Sequence, residues 1–253
     1  MPLTFRRTCL LAALALLAMF APLARPALAA PIVVTSLADS GAGSLRAAII
    51  DANASVGGDT ITFTAAGTIN LSTPLPALTG SNISIDGSVP AGSSVPKVEL
   101  RGQGMIKGAG ILIHSSGNTV RGLILNGFIK EDFGTSPDYG GAGVTISGST
   151  NGVAANNIVE YNYIGTNAAG SAIGNAQDSN NIMAGVLIIL GASTNTIRNN
   201  VISGNTGMGI YLTRDRNGTD TFAKTSNIIR DNLIGTTAGG GAALPNMHGI
   251  WVG

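Results

Sequence analysis

The sequence predicts an all-β solenoid, a single-stranded parallel β-helix with a short N-terminal capping helix. Two strand formulas that alternate along the latter part of the chain predict it. A Gly-led strand recurs at Gly110-Ile-Leu-Ile113, Gly143-Val-Thr-Ile146, Gly185-Val-Leu-Ile188, Gly209-Ile-Tyr-Leu212 and Gly249-Ile-Trp-Val252. Between these copies an Asn-led formula, Asn-(Thr/Ile)-(Val/Ile)-x-x-(Asn/Leu)-x-(Ile/Leu), runs from Asn118 to Leu125, Asn157 to Ile164, Asn195 to Ile202 and Asn227 to Ile234. Two strand units in strict alternation are one supersecondary element stacked on itself. Strand formers with Gly, Asn, Ser and Thr at the corners do not sustain the 3.6-residue period of a helical repeat.

The Gly-led copies start at 110, 143, 185, 209 and 249, so their spacings are 33, 42, 24 and 40 residues. The shortest is a bare coil, with rungs stacked roughly 4.8 Å apart. The longer ones are the same coil carrying loop insertions, which a solenoid accepts because each coil touches only its neighbours. Insertions from Ile164 through Asn175 and from Ile234 through Asn246 resemble each other, so a two-coil unit has itself been repeated. With 36 Gly among 253 residues, 11% charged and 4% aromatic residues, the composition suits short corners and stacked aliphatic rungs.

Taken in order, residues 1–29 carry Arg6 and Arg7, an apolar run from Leu10 to Phe20, and Ala27-Leu-Ala29. This is the pattern of a secretory signal peptide cleaved after Ala29. Its apolar core is shorter than the roughly 20 residues that span a bilayer, so no membrane span is expected in the mature chain. Cleavage removes Arg6, Arg7 and Arg25 from the 14 basic residues and none of the 13 acids, leaving a net charge of −2. A nucleic-acid partner is therefore not expected. The only cysteine, Cys9, leaves with the signal, so no disulfide is expected in a secreted protein of the periplasm, cell surface or extracellular space.

Residues 30–58 read as an N-terminal cap. Ile32-Val-Val-Thr35 makes a short strand and Asp39-Ser-Gly-Ala-Gly43 a turn. Ser44 then caps a helix whose apolar residues Leu45, Ala48, Ile49 and Ala52 fall at i, i+3, i+4 and i+7. Such a helix hides the unpaired backbone and apolar rung of an open β-helix end. Residues 59–253 are the coils.

The stretch Asp39-Ser-Gly-Ala-Gly-Ser-Leu-Arg-Ala-Ala-Ile49, followed by Asp51-Ala-Asn53, resembles the N-terminal motif of secreted bacterial β-helix proteins named for Cys-Ser-Leu-Arg-Glu-Ala. Gly43 and Ala47 stand where that motif has Cys and Glu. The Ile-Gly-Thr insertions and the stretch from Asn195 to Asn205 resemble the pectin-lyase-like superfamily, which implies a right-handed parallel β-helix. That superfamily holds lyases, hydrolases, esterases, adhesins and tailspikes, so the resemblance implies the fold and leaves the activity open.

Activity is then a matter of the outward side chains. The second and fourth positions of each Gly-led strand are aliphatic and read as inward, because alternate residues share a face. The outward stripe is Leu112, Thr145, Leu187, Tyr211 and Trp251, and the next is His114, Ser147, Ile189, Thr213 and Gly253. Neither carries a carboxylate, whereas inverting hydrolysis needs two carboxyls about 6.5 to 9.5 Å apart and a calcium-dependent lyase needs several with a base. Charge gathers instead in two insertions, Lys130-Glu131-Asp132 with Asp138, and Arg214-Asp215-Arg216 with Asp220 and Lys224. Of these, Arg214, Asp215, Arg216 and Asp220 are the candidates for catalysis, set against a solvated loop. His114 and His248 have no partner motif and read as surface or corner residues. Tyr211 and Trp251 fall on adjacent coils in one stripe and are the candidates for stacking on a sugar ring. No metal site and no cofactor are expected.

The aligned asparagines read as structural. Asn118, Asn157, Asn195 and Asn227 recur at one place in the coil, and Asn162, Asn200 and Asn232 at another, where amides can bond up and down the solenoid and Asn tolerates a left-handed corner. Arg121, Glu160, Arg198 and Arg230 share a column, which sets Glu160 between two arginines. The fifth Gly-led strand has no cap after it, so the sequence predicts either a truncated array or association through this end. The function expected is an exported scaffold that contacts carbohydrate or another surface, with a polysaccharide lyase or glycoside hydrolase as the alternative.

Overall fold

Three parallel sheets run the length of the computed structural model, which describes residues 31–129, 141–148, 153–170, 184–213 and 226–253, without the side chains of 103–106. The expected signal peptide lies outside the described residues. The first sheet stacks Pro31–Val34, Thr60–Phe63, Ser84–Asp86, Thr119–Arg121, Ile158–Glu160, Thr196–Arg198 and Ile228–Arg230. The second stacks Gly67–Leu71, Val98–Lys107, Leu123–Ile129, Tyr163–Ile164, Val201–Ile202 and Leu233–Ile234. The third stacks Ile111–Ile113, Ala142–Ser147, Ala184–Ile189, Met208–Leu212 and His248–Val252. From Val98 onward the chain visits the three sheets in turn, one strand per coil in each, so every strand pairs with its counterpart in the next coil. This is a parallel β-helix.

Register turns the formulas into columns. Ile61, Ile85, Val120, Val159 and Ile197 stand one above another in the first sheet. Ile69, Leu100, Leu125, Ile164 and Ile202 do so in the second. In the third, Ile111, Val144, Val186 and Ile210 form one column, and Ile113, Ile146, Ile188 and Leu212 another. All belong to one continuous core. Each fully buried aliphatic side chain contributes about 1.5 to 3 kcal/mol, so the fold needs no large aromatic anchors.

The leading glycines of the first four third-sheet strands, Gly110, Gly143, Gly185 and Gly209, are required by close approaches to that core and to the next strand. A methyl group on Gly185 would lie 2.6 Å from Ile202 Cγ2 and 2.8 Å from the Gly209 carbonyl oxygen, and one on Gly143 would lie 2.5 Å from Ile164 Cγ2. Gly185→Ala is therefore expected to destabilise the protein by about 1 to 3 kcal/mol through overpacking. Equilibrium urea unfolding reads this, and an unchanged midpoint would contradict the packing.

The helix Leu45–Ala54, α1, follows the first strand. The Ser44 hydroxyl accepts a hydrogen bond from the Ala47 N–H, and Leu45, Ala48, Ile49 and Ala52 are buried in the solenoid core. The polar residues of the same motif clasp the neighbouring coil. Arg46 donates to the Pro74 and Thr73 carbonyls at 2.6 and 3.0 Å and to Asp39 Oδ1 at 2.6 Å. Asn53 donates to the Ala77 carbonyl and accepts from the Thr79 and Gly80 N–H groups. Desolvation alone would raise the Asp39 pKa, but hydrogen bonds from Arg46 and Ser72 and the Arg46 charge outweigh it and hold the carboxyl below its ordinary value.

The asparagines form ladders at the corners. The Asn157 Oδ1 accepts from the backbone and side-chain N–H groups of Asn118 at 2.8 and 3.0 Å. Asn195 does the same for Asn157, and Asn227 for Asn195. Asn162, Asn200 and Asn232 repeat the arrangement. One expectation is corrected. These asparagines do not adopt the left-handed conformation; the residue before each does, at Asn156 (φ 57°), Thr194 (56°) and Ser226 (67°). The chain turns one residue early so that the Asn amide points along the stack. A third ladder, in which Asn246 Oδ1 accepts from Asn205, lies outside the Asn-led formula.

Candidate functional site

Chemistry on a solenoid is carried by the faces turned away from the core. On the first sheet that face carries an ion ladder. Arg121 Nη1 lies 2.9 Å from Asp86 Oδ2 and its Nε lies 3.3 Å from Glu160 Oε1, while Arg198 Nη2 lies 2.7 Å from Glu160 Oε2. The Arg121 guanidinium also sits 5.4 Å above the Tyr161 ring. Asp86 further accepts from the Ser88 and Gly92 N–H groups, so it tethers the following loop. On the second sheet, Glu99 accepts from Asn126 at 2.8 Å and Thr68 at 3.0 Å. These carboxylates are engaged by the fold itself. Their geometry is that of structural pairs and not of an acid and base facing a substrate.

The third sheet differs. Its register passes from Ala184↔Ala142 to Val186↔Val144 without pairing the intervening glycines, and a methyl on those glycines would point into the core. Alternation is broken there, and the residue before each glycine joins the outer face. Three columns result: Ala142, Ala184, Met208 and His248; Thr145, Leu187, Tyr211 and Trp251; and Ser147 and Ile189. Ala142, Ala184, Leu187 and Ile189 form a second apolar cluster, with Met208 and Tyr211 packed against it.

Thr145, Ser147, Leu187 and Ile189 point away from the core yet are buried, so being turned outward does not here mean meeting solvent. On the last two coils Tyr211 is half-buried, and Trp251 is 44% exposed in a strand that is exposed along its whole length.

There the structure brings four side chains together. Tyr211 and Trp251 are register partners on adjacent strands, as are Met208 and His248. The His248 and Trp251 rings meet edge to face at 4.9 Å and 67°, so the two columns touch. Gly253 lies against both aromatic rings, its position 3.5 Å from Trp251 Nε1 and 3.7 Å from Tyr211 Cε2 when measured from an added methyl. Tyr211 and Trp251 are legible in the Gly-led formula. Met208 is not, because it precedes the glycine; aligning the residue before each copy would reveal it. His114 is remote from this group, at the end of the Ile111–Ile113 strand. Arg214, Asp215, Arg216 and Asp220, and the other charged insertion at 130–138, lie outside the described residues.

Among the described residues no three His, Cys, Asp or Glu side chains gather as metal ligands. The donors in register on the outer face of the last two coils are instead the Met208 thioether and the His248 imidazole, with Met247 next to His248 in the chain, a set that suits a soft cation and not calcium or magnesium.

Residues 52–250 match the model of a family described as periplasmic copper-binding protein (NosD). The chain belongs to the NosD family. The match spans the last three residues of α1 and nearly all of the coils, including Met208, Tyr211 and His248. A crystal structure of an alginate lyase from Paenibacillus sp. str. FPU-7 is similar to this NosD-family chain at 16% identity and a TM-score of 0.34, over 87% of this chain and 58% of that one. No curated protein matches the chain.

Proposed function

We propose that the protein is a non-catalytic scaffold of the bacterial periplasm, whose working surface is the outer face of the third sheet in the last two coils. The observation that carries this reading is the in-register pairing of Tyr211 with Trp251 on the outer face of that sheet. Two aromatic rings on adjacent rungs make a platform for the apolar face of a sugar, so the first ligand class is a carbohydrate or a carbohydrate-coated surface. The structural pairing of Asp86, Glu99 and Glu160 supports a binding role over lyase or hydrolase chemistry.

Tyr211→Ala and Trp251→Ala together are expected to weaken glycan binding about tenfold, since each ring contributes about 0.5 to 1.5 kcal/mol beyond its area. Calorimetry against a panel of acidic and neutral glycans, with and without calcium, measures it. Release of new reducing or unsaturated ends in the same panel would overturn the non-catalytic reading. Absence of binding to any member would overturn the carbohydrate.

A second reading has its own observation. The family's description names copper, and Met208 and His248 stand in register beside the aromatic pair. On this reading the scaffold carries copper on the same face.

A further inference from the structure

We infer that Met208, His248 and Met247 form a site for a cuprous ion on the outer face of the third sheet, with the Trp251 indole as its wall. The inference rests on the copper reading and deepens it by naming the donors and the oxidation state.

Donor chemistry comes first. A thioether does not release a proton and offers a soft, polarisable lone pair, and thioether with imidazole selects Cu(I) over the harder divalent ions. Among the described residues no three His, Cys, Asp or Glu side chains gather, so the group lacks the donor set that Zn(II), Ca(II) or Mg(II) takes. A site built on methionine leaves no mark in the pattern of carboxylates, cysteines and histidines along the chain.

Spacing agrees. Met208 and His248 are register partners in neighbouring parallel strands, which lie roughly 4.8 Å apart. A first-row metal held between sulfur at about 2.3 Å and nitrogen at about 2.0 Å spans about 4.3 Å, close to one rung. The cation therefore fits between adjacent coils without backbone movement. Met247 is tied to the same corner, because its N–H and that of His248 donate to the Gly207 carbonyl at 2.8 and 3.4 Å. Its side chain, 71% exposed, is free to supply the third donor.

Trp251 walls the site. Its ring already touches the His248 imidazole edge to face, so a cation on His248 lies beside an indole, the best of the aromatic faces for cation attraction. Tyr211 occupies the neighbouring rung and belongs to the aromatic column, not to the donor column.

The chain has one tryptophan, so Trp251 reports on the site directly. The test is an anaerobic titration of the full chain with Cu(I) buffered by a chromophoric cuprous chelator, following Trp fluorescence and copper partition together. The expected result is one ion per chain with quenching of Trp251. Met208→Leu and His248→Gln are each expected to lower affinity by at least about 10- to 100-fold, no less than the loss of an outer-shell partner. Met208→Leu conserves volume and should leave the melting temperature unchanged, which separates a lost ligand from a lost fold. Tyr211→Ala should leave copper affinity unchanged while weakening glycan binding.

Three outcomes overturn the inference. If Met208→Leu and His248→Gln retain full affinity and quenching, the copper lies elsewhere and the copper reading survives without this site. If Cu(II) or Zn(II) competes equally with Cu(I) at these residues, the site is not soft. If the parent chain takes up no copper in either oxidation state, the site and the copper reading fall together.

Discussion

Replacing Asn157 by Ala is expected to destabilise the protein by about 3 kcal/mol. Asn157 is fully buried, and its amide serves three coils at once. Its Oδ1 receives the Asn118 backbone N–H, and its Nδ2 donates to the Ser115 carbonyl at 3.0 Å and to Asn195 Oδ1 at 3.0 Å. Alanine leaves the Asn118 N–H and the Ser115 carbonyl buried without these partners, and each such orphan costs about 1 to 3 kcal/mol. Asn227, partly exposed at the far end of the same ladder, should cost distinctly less when truncated, because water replaces the lost bonds. Equilibrium urea unfolding of the two variants checks both statements. Equal and small losses would mean that the amide stack is incidental to the corner.

Glu160→Arg has the next largest expected effect, again about 3 kcal/mol and destabilising. Glu160 sits between Arg121 and Arg198 in register, with side-chain exposures of 11%, 16% and 31%. The substitution breaks both ion pairs and stacks four arginines in one column, at 121, 160, 198 and 230, with Asp86 left as the acid that pairs with Arg121. Because the cluster is largely out of solvent, added salt should recover little of the loss. Glu160→Gln, which removes the pairs without adding repulsion, should fall between the variant and the parent. A melting temperature for Glu160→Arg equal to that of the parent at low salt would contradict the register.

The place of Glu160 is legible in the sequence, since the Asn-led formula aligns 121, 160, 198 and 230 by simple counting from Asn118, Asn157, Asn195 and Asn227. Asp86 at the foot of the ladder is not. Its coil departs from the formula, having Asn82-Ile83 at that corner, so nothing marks it as the first rung. The third Asn ladder, Asn205 to Asn246, is hidden for a related reason: 41 residues and an insertion separate the two members.

The candidate site divides in the same way. Tyr211 and Trp251 lie inside the Gly-led formula and are aligned by it. Met208 and His248 precede the glycine, where strict alternation assigns the wrong face. The glycine, forced by the approach of Ile202 and Ile234 from the second sheet, lets the strand depart from alternation and turns the preceding residue outward.

What the sequence by itself determined is whatever repeats locally: the coil, the aliphatic columns, the corner asparagines, the capped helix and the charge column. Each depends on a short pattern whose period reflects strand or helix geometry. What only the tertiary structure decided is which of the outward residues meet solvent and which coils supply partners across an insertion. Period-two alternation tells a side chain to leave the core, but not what it then meets. Thr145 and Leu187 are both buried, Leu187 in a second apolar cluster, whereas Trp251 and His248 meet each other edge to face.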